Sequence, residues 1–186
     1  KIRLVYAGTL YRKLRNPGLV LRVFSKLLET HIAPRLELHF LGNIYDCWEW
    51  FEQWRSLIGT KLFIHGLVSR ERIFQALTEA DILVNIGNDL RYQLPSKVLE
   101  YASTGRPILN FIKSPDDSSL AFLKTYPASL NLLEGDELLK GEQWTKLFQF
   151  IEHPPSRIDH KILAQILAPY RIESVGKAYQ DLFIGC

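Results

Sequence analysis

Three cations crowd one short stretch of the chain, Gly8-Thr9-Leu10-Tyr11-Arg12-Lys13-Leu14-Arg15, and Asn16-Pro17 follows at once. An Asn side chain can cap the unpaired N–H groups of a helix start, and a proline suits the first helical position. The residues before this stretch, Arg3–Ala7, read as a strand, so the cations lie on a strand-to-helix loop. Arg12, Lys13 and Arg15 beside a helix N-terminus place two sources of positive potential together, which suits a diphosphate. The loop is not G-x-G-x-x-G, because Leu10 and Lys13 stand at the second and third glycine positions. Nor is it the G-x-x-x-x-G-K-[ST] loop, so neither a dinucleotide nor a P-loop reading is supported. On composition alone, a solvated basic loop is the competing reading.

A second group lies in Leu94-Pro95-Ser96-Lys97-Val98-Leu99-Glu100-Tyr101, which runs on to Thr104-Gly105-Arg106-Pro107. Pro95 and Ser96 mark the entrance to a helix. The spacing i, i+3, i+4, i+7 puts Lys97, Glu100, Tyr101 and Thr104 on one helix face, with Val98, Leu99 and Ala102 toward other sides. A carboxylate offers two acceptor oxygens and no donor, which fits a pair of vicinal hydroxyls. The competing reading is a surface ion pair between Lys97 and Glu100, worth under about 1 kcal/mol.

The elements that must position these groups alternate along the chain. Strands are predicted at Arg3–Ala7, Leu36–Leu41, Lys61–His65, Ile82–Ile86, Pro107–Phe111 and Ser129–Leu133. Their apolar content is nearly continuous in Leu62-Phe63-Ile64 and in Ile82-Leu83-Val84-Asn85-Ile86, as in strands covered on both faces. Helices are predicted at Pro17–Thr30, Cys47–Ile58, Arg70–Ala80, Ser96–Thr104 and Ser118–Thr125. Further helices are expected near Gln143–Ile151, Ile162–Leu167 and Val175–Phe183, with Pro154-Pro155-Ser156 as a hinge before the last pair. This alternation argues for α/β architecture with a parallel, doubly wound sheet. Ligands of such sheets bind beyond the carboxyl ends of the strands. The loops of interest are therefore Gly8–Asn16, Gly42–Asp46, Gly66–Ser69, Gly87–Ser96 and Lys113–Ser118.

The segment Pro95-Ser96-Lys97-Val98-Leu99-Glu100-Tyr101-Ala102-Ser103-Thr104-Gly105-Arg106-Pro107-Ile108 resembles the signature of GT-B glycosyltransferases, in particular the retaining "group 1" family. Val5-Tyr6-Ala7-Gly8-Thr9-Leu10 resembles the first strand and loop of that family's C-terminal domain. Leu38–Gly42, Phe63–Val68, Ala80–Val84 and Glu134–Leu138 are similar to its later elements, in the same order. The resemblance covers roughly Leu4 to Phe183 and implies one Rossmann-like domain, the C-terminal half of a GT-B fold.

What the resemblance implies about function is specific. Such a domain holds a nucleoside-diphosphate sugar, while an N-terminal domain binds the acceptor, here a glycan, a lipid or a small molecule. Glu100 is expected to hold the ribose hydroxyls, and Arg15 with Lys13 to neutralise the diphosphate as the catalytic cations. The Gly8-Thr9 loop and the backbone amides of Pro95, Ser96, Lys97 and Val98 would meet the donor and its phosphates. The turn Gly66-Leu67-Val68 would face the base. No cofactor and no metal are required. The family often carries a second glutamate eight positions before the one matched by Glu100; Tyr92 stands there in this chain, with Asp89 the nearest upstream acid. The alternatives are half of a sugar-nucleotide epimerase and a non-catalytic nucleotide-binding or scaffold module.

Composition narrows the classes further. The chain has 186 residues, 47% hydrophobic and 23% charged, with a formal net charge of +3. That is enough for one substantial core, and the charge gives no support to nucleic-acid binding. No apolar run approaches the ~18 residues of a spanning helix, although a slightly basic chain fits peripheral contact with a membrane by the full-length protein. Cys47 and Cys186 cannot build a disulfide framework and fit a reducing, cytoplasmic compartment. The chain opens inside a strand and contains no Met, which reads as a domain excised from a longer protein; alone, it is expected to bind donor without turnover. Asp116-Asp117 is not an Asp-x-Asp metal pair, and the five histidines lack zinc spacing. Cys47, Phe51, Trp54 and Ile58 read as a core stripe, with Trp48 or Trp50 left for a domain contact.

Overall fold

The computed structural model describes residues 1–87, 96–171 and 174. The expected residues Pro95, Tyr92 and Asp89, the helix at Val175–Phe183, and Cys186 lie outside the described residues. Six strands, β1 (Ile2–Ala7), β2 (Leu36–Leu41), β3 (Leu62–Ile64), β4 (Ile82–Ile86), β5 (Ile108–Ile112) and β6 (Ser129–Leu133), form one sheet. Every pairing is parallel and the spatial order is β3-β2-β1-β4-β5-β6. The chain winds outward from β1 to β3 and then returns to start again at β4. The topological switch point therefore lies between β1 and β4, the place beyond the strand ends where sheets of this kind take their ligands.

Strand residues alternate between two apolar layers. Ile2, Leu4 and Tyr6 of β1 pack into one core with α1 (Gly18–Leu28) and α6 (Gly141–Glu152). Val5 and Ala7 pack into the other, with α3 (Arg70–Glu79), α4 (Ser96–Ser103), α5 (Ser118–Leu123) and α7 (His160–Leu167). Each fully buried Leu, Ile or Phe stabilises the fold by roughly 1.5–3 kcal/mol relative to exposure. That burial on both faces explains the continuous apolar runs in the strands. A ladder of amides runs across one edge: Asn85 Nδ2 donates to Asn110 Oδ1 at 2.7 Å, and Asn110 Nδ2 donates to Asn131 Oδ1 at 2.8 Å. These asparagines are direct register partners on β4, β5 and β6. A one-residue slip would strand their polar groups in the core, so the ladder fixes the register.

Two expected elements differ. The helix predicted at Cys47–Ile58 is broken into a 3-10 turn at Tyr45–Cys47, one α-turn α2 (Trp48–Phe51) and a 3-10 segment at Glu52–Leu57. Cys47 and Phe51 are fully buried while Trp54 and Ile58 only line the core, so the stripe does not follow one α-helical face. The hinge expected at Pro154-Pro155-Ser156 leads into a strapped segment. Arg157 Nε donates to the Thr104 carbonyl at 2.7 Å and Ile158 N donates to the Gly105 carbonyl at 2.9 Å. These bonds tie α7 back onto the end of α4.

Candidate donor-binding site

Strand β1 ends at Gly8, whose N–H donates to the Leu41 carbonyl at 2.7 Å. Gly8 has φ +140° and Gly42, at the end of β2, has φ +121°. A Cβ on Gly42 would lie 2.5 Å from the Gly8 carbonyl oxygen, so only glycine lets the two strand ends approach this closely. Beyond Gly8 the loop folds on itself. Tyr11 and Arg15 exchange N–H···O bonds of 3.2 and 3.0 Å, which places Arg12, Lys13 and Leu14 at an exposed tip and returns Arg15, half-buried, to its base. The three cations are thereby sorted. Arg12 pairs with Glu49 at 2.8 Å, Lys13 is exposed, and only Arg15 lies close enough to act electrostatically on Lys97. Asn16 accepts from Gly18 N at 3.1 Å, but α1 starts one residue later than expected: Pro17 stands at its N-cap rather than at its first helical position, and no side chain caps the helix.

Helix α4 begins on the other side of the switch point. Its N–H groups at Ser96, Lys97 and Val98 belong to the first turn, which has no carbonyl partners within the helix. Ser96 is exposed, whereas the Val98 side chain is wholly buried, so only the backbone of Val98 can serve a ligand. The single helix face expected for Lys97, Glu100, Tyr101 and Thr104 is split by packing. Tyr101 and Thr104 are buried and Glu100 is exposed. The Tyr101 hydroxyl accepts from Ala7 N at 2.7 Å and donates to the Ala7 carbonyl at 3.2 Å, clamping α4 to the end of β1. Burial of that hydroxyl pushes its pKa up.

Lys97 was the residue least legible in the sequence. Its residue surface is only half-buried, yet its Nζ is wholly buried and has no hydrogen-bond partner among the described residues. The surface ion pair between Lys97 and Glu100 is not formed. Instead Nζ sits 3.9 Å from the centre of the Tyr6 ring and 5.9 Å from that of Tyr101. Tyr6 belongs to the α1-side core and Tyr101 to the α4-side core, so the lysine reaches across the end of the sheet. A Cβ on Gly8 would stand 2.3 Å from this Nζ. Burial, then the charge of Arg15, lowers the Lys97 pKa to about 7; Glu100 partly opposes the shift.

Two of the remaining expected residues, Glu100 and Gly66, line cavities. Glu100 lines an open cavity of about 660 Å³ between α3 and α4, with Arg70, Phe74, Gln75 and Ser103. Gly66, at φ +65°, lines another of about 390 Å³ with Gly42, Asn43, Trp48 and Leu67. The structure thus brings Gly8, Arg15 and Lys97 together, with Thr9 next along the loop, and it sets Gly66 and Glu100 on two different cavities. Val68 is half-buried and packs on the α4-side core. Asp117 caps α5 by accepting from Ser119 N at 2.9 Å. Among the described residues, no helix is long and apolar enough to cross a membrane.

No protein-family model and no curated protein matches the chain. Solved structures match its fold. AviGT4, a glycosyltransferase of avilamycin A biosynthesis, superposes with TM-score 0.63 at 14% identity, covering 100% of this chain and 52% of its own. The lipopolysaccharide outer core galactosyltransferase WaaB gives TM-score 0.63 at 15% identity, with 99% and 49% covered. HepE of Anabaena, solved in complex with UDP-glucose, gives TM-score 0.61 at 11% identity, with 97% and 47% covered. This chain thus spans about half the length of each. Its six-stranded parallel sheet flanked by helices is the α/β Rossmann-like fold of GT-B glycosyltransferase domains.

Proposed function

We propose that the chain is the donor-binding domain of a retaining glycosyltransferase and holds a nucleoside-diphosphate sugar at the β1–β4 switch point. The observation that carries this reading is the convergence, at the end of β1, of Gly8, the first turn of α4 and the cations Arg15 and Lys97. Breaking the bond from sugar to diphosphate leaves negative charge on the departing phosphate. Fixed cations and helix N–H groups stabilise that charge where it develops, with no reorganisation at the moment of reaction. In this reading positive charge comes from the chain itself and no metal is needed. Arg15 takes the diphosphate, with Lys13 at the loop tip as its neighbour. Glu100 accepts the two ribose hydroxyls from its place on the α3–α4 cavity, and an N-terminal domain brings the acceptor.

The test is a titration of the chain with uridine, guanosine and adenosine diphosphates, with and without a chelator. One of the three should bind in both conditions. Glu100→Gln keeps the size of the side chain and loses its charge and one strong acceptor. Affinity should fall roughly tenfold to a hundredfold, the equivalent of about 1.5–3 kcal/mol, with the melting temperature unchanged. An unchanged affinity with a collapsed melting temperature would make Glu100 structural and remove the ribose assignment.

A further inference from the structure

The Lys97 ammonium is the one amine in the described core whose nitrogen is buried without a hydrogen-bond partner. Leaving a charged amine in that state is costly, and proteins avoid it by pairing the group or by giving up its proton. Neither of the nearby aromatic rings supplies a formal negative charge. Among the described residues, the groups that face Lys97 are Tyr6 from β1, Arg15 from the loop after β1, and Glu100 and Tyr101 from its own helix. Of these, only Glu100 is an anion near neutral pH, and it forms no ion pair with Lys97. Gly8 has no side chain, and the space its Cβ would take abuts Nζ at 2.3 Å. Lys97 Nζ fills the space that a Cβ on Gly8 would take, so the amine lies against the loop that leaves β1 and on the first turn of α4, and a phosphate bound at that helix start would lie beside it.

We infer that the Lys97 side chain is a proton-linked phosphate ligand: the amine takes up a proton as a nucleoside diphosphate arrives and becomes its buried counter-ion. The inference rests on the donor-binding reading and adds to it a group whose charge depends on occupancy. The balance is simple. One proton moves from buffer to Nζ, one ion pair forms between the ammonium and a phosphate oxygen, and no bond within the ligand breaks. The lowered pKa of about 7 agrees, because an anion beside the nitrogen would raise it again. Arg15 cannot supply this linkage, since a guanidinium stays charged across the accessible range.

The experiment is isothermal titration of the 186-residue chain with uridine, guanosine and adenosine diphosphates at pH 8, in buffers of differing ionisation heat. At that pH these ligands are fully ionised, so proton uptake reports on the protein. Binding should take up most of one proton, and affinity should weaken as pH rises from 7 to 9. Lys97→Met, which keeps the aliphatic stem, should abolish the uptake and weaken binding tenfold or more. Failure of all three diphosphates to bind the wild-type chain would overturn the donor-binding reading and this inference together. Binding without proton uptake, or uptake that persists in Lys97→Met, would overturn this inference alone and leave the donor-binding reading standing.

Discussion

Two corners of the sheet bury ionisable groups in opposite ways. At the β1–α4 corner, Lys97 Nζ lies under Gly8 with two aromatic rings beside it and no acceptor in reach among the described residues. On β2 and just past β3, by contrast, the groups form a chain. Glu37 receives Lys1 and Arg3, its carboxylate stands 3.5 Å from His39 Nε2, and His39 Nδ1 meets His65 Nε2 at 3.0 Å. His39 also stacks on Phe63 with ring centres 4.6 Å apart. Burial would raise the Glu37 pKa, but the hydrogen bonds from Lys1 and Arg3 outweigh it and hold the carboxyl below its usual range. The difference teaches how to read a buried charge. Glu37 has its cationic partners in place and is part of the fold, although His39 Nε2 beside it is itself buried without a hydrogen-bond partner, whereas Lys97 Nζ has no anion in contact among the described residues.

The sharpest way to break this comparison is to cut one satisfied and one unsatisfied group at the same corner. Tyr101→Phe removes the hydroxyl that serves both Ala7 N and the Ala7 carbonyl. It leaves buried backbone groups short of a partner, so stability should fall by about 1–3 kcal/mol. Chemical denaturation measures this, and a loss near zero would mean that water takes over the clamp.

Lys97→Met should move stability the other way. Removing an unpaired buried amine while keeping its stem should raise stability at pH 7 by roughly 1–2 kcal/mol. The pH dependence adds a second readout. A depressed lysine pKa means that above about pH 7 the folded chain has released a proton that the unfolded chain still holds. Stability should therefore rise with pH from 7 to about 9.5 in the wild type, before tyrosines ionise, and that rise should vanish in Lys97→Met. Melting temperatures across this window decide the matter, and a variant that melts lower than the wild type would make Lys97 a structural residue.

The smallest effect belongs to the histidine chain. Burial lowers the pKa of both His39 and His65, and Arg72 adds to the shift at His65. The unfolded chain then binds protons below about pH 6.5 that the folded chain resists. Stability should be complete above that value and decline as pH falls toward the folded pKa values. His39→Gln with His65→Gln should flatten this acid limb, as followed by thermal melts between pH 7 and 5. An unchanged limb would place the acid sensitivity elsewhere.

The sequence by itself determined the frame of this protein. Continuous apolar runs such as Ile82–Ile86 are what a strand covered on both faces requires, and that strand falls where it was expected. β2, β4 and β6 match their expected bounds, and the strand–helix alternation gave the parallel sheet. Local chemistry was partly legible: Gly8 ends β1 at the loop where a glycine was read, while Asn16 bonds Gly18 N one residue ahead of the helix cap, which is Pro17. The broken helix after Cys47 was not, because an apolar period close to 3.6 does not distinguish an α-helix from a run of tighter turns packed on the same core. Nor was the difference between Lys97 and Glu100. Three residues apart, they share a helix face by spacing, and spacing says nothing of what covers that face. Tertiary structure decided it. The Tyr101 clamp draws α4 against the end of β1, Gly8 admits the lysine nitrogen beneath it, and Glu100 is left at the open α3–α4 cavity. Burial is set by contacts between distant segments, so the charge state of Lys97 depends on the fold that surrounds it.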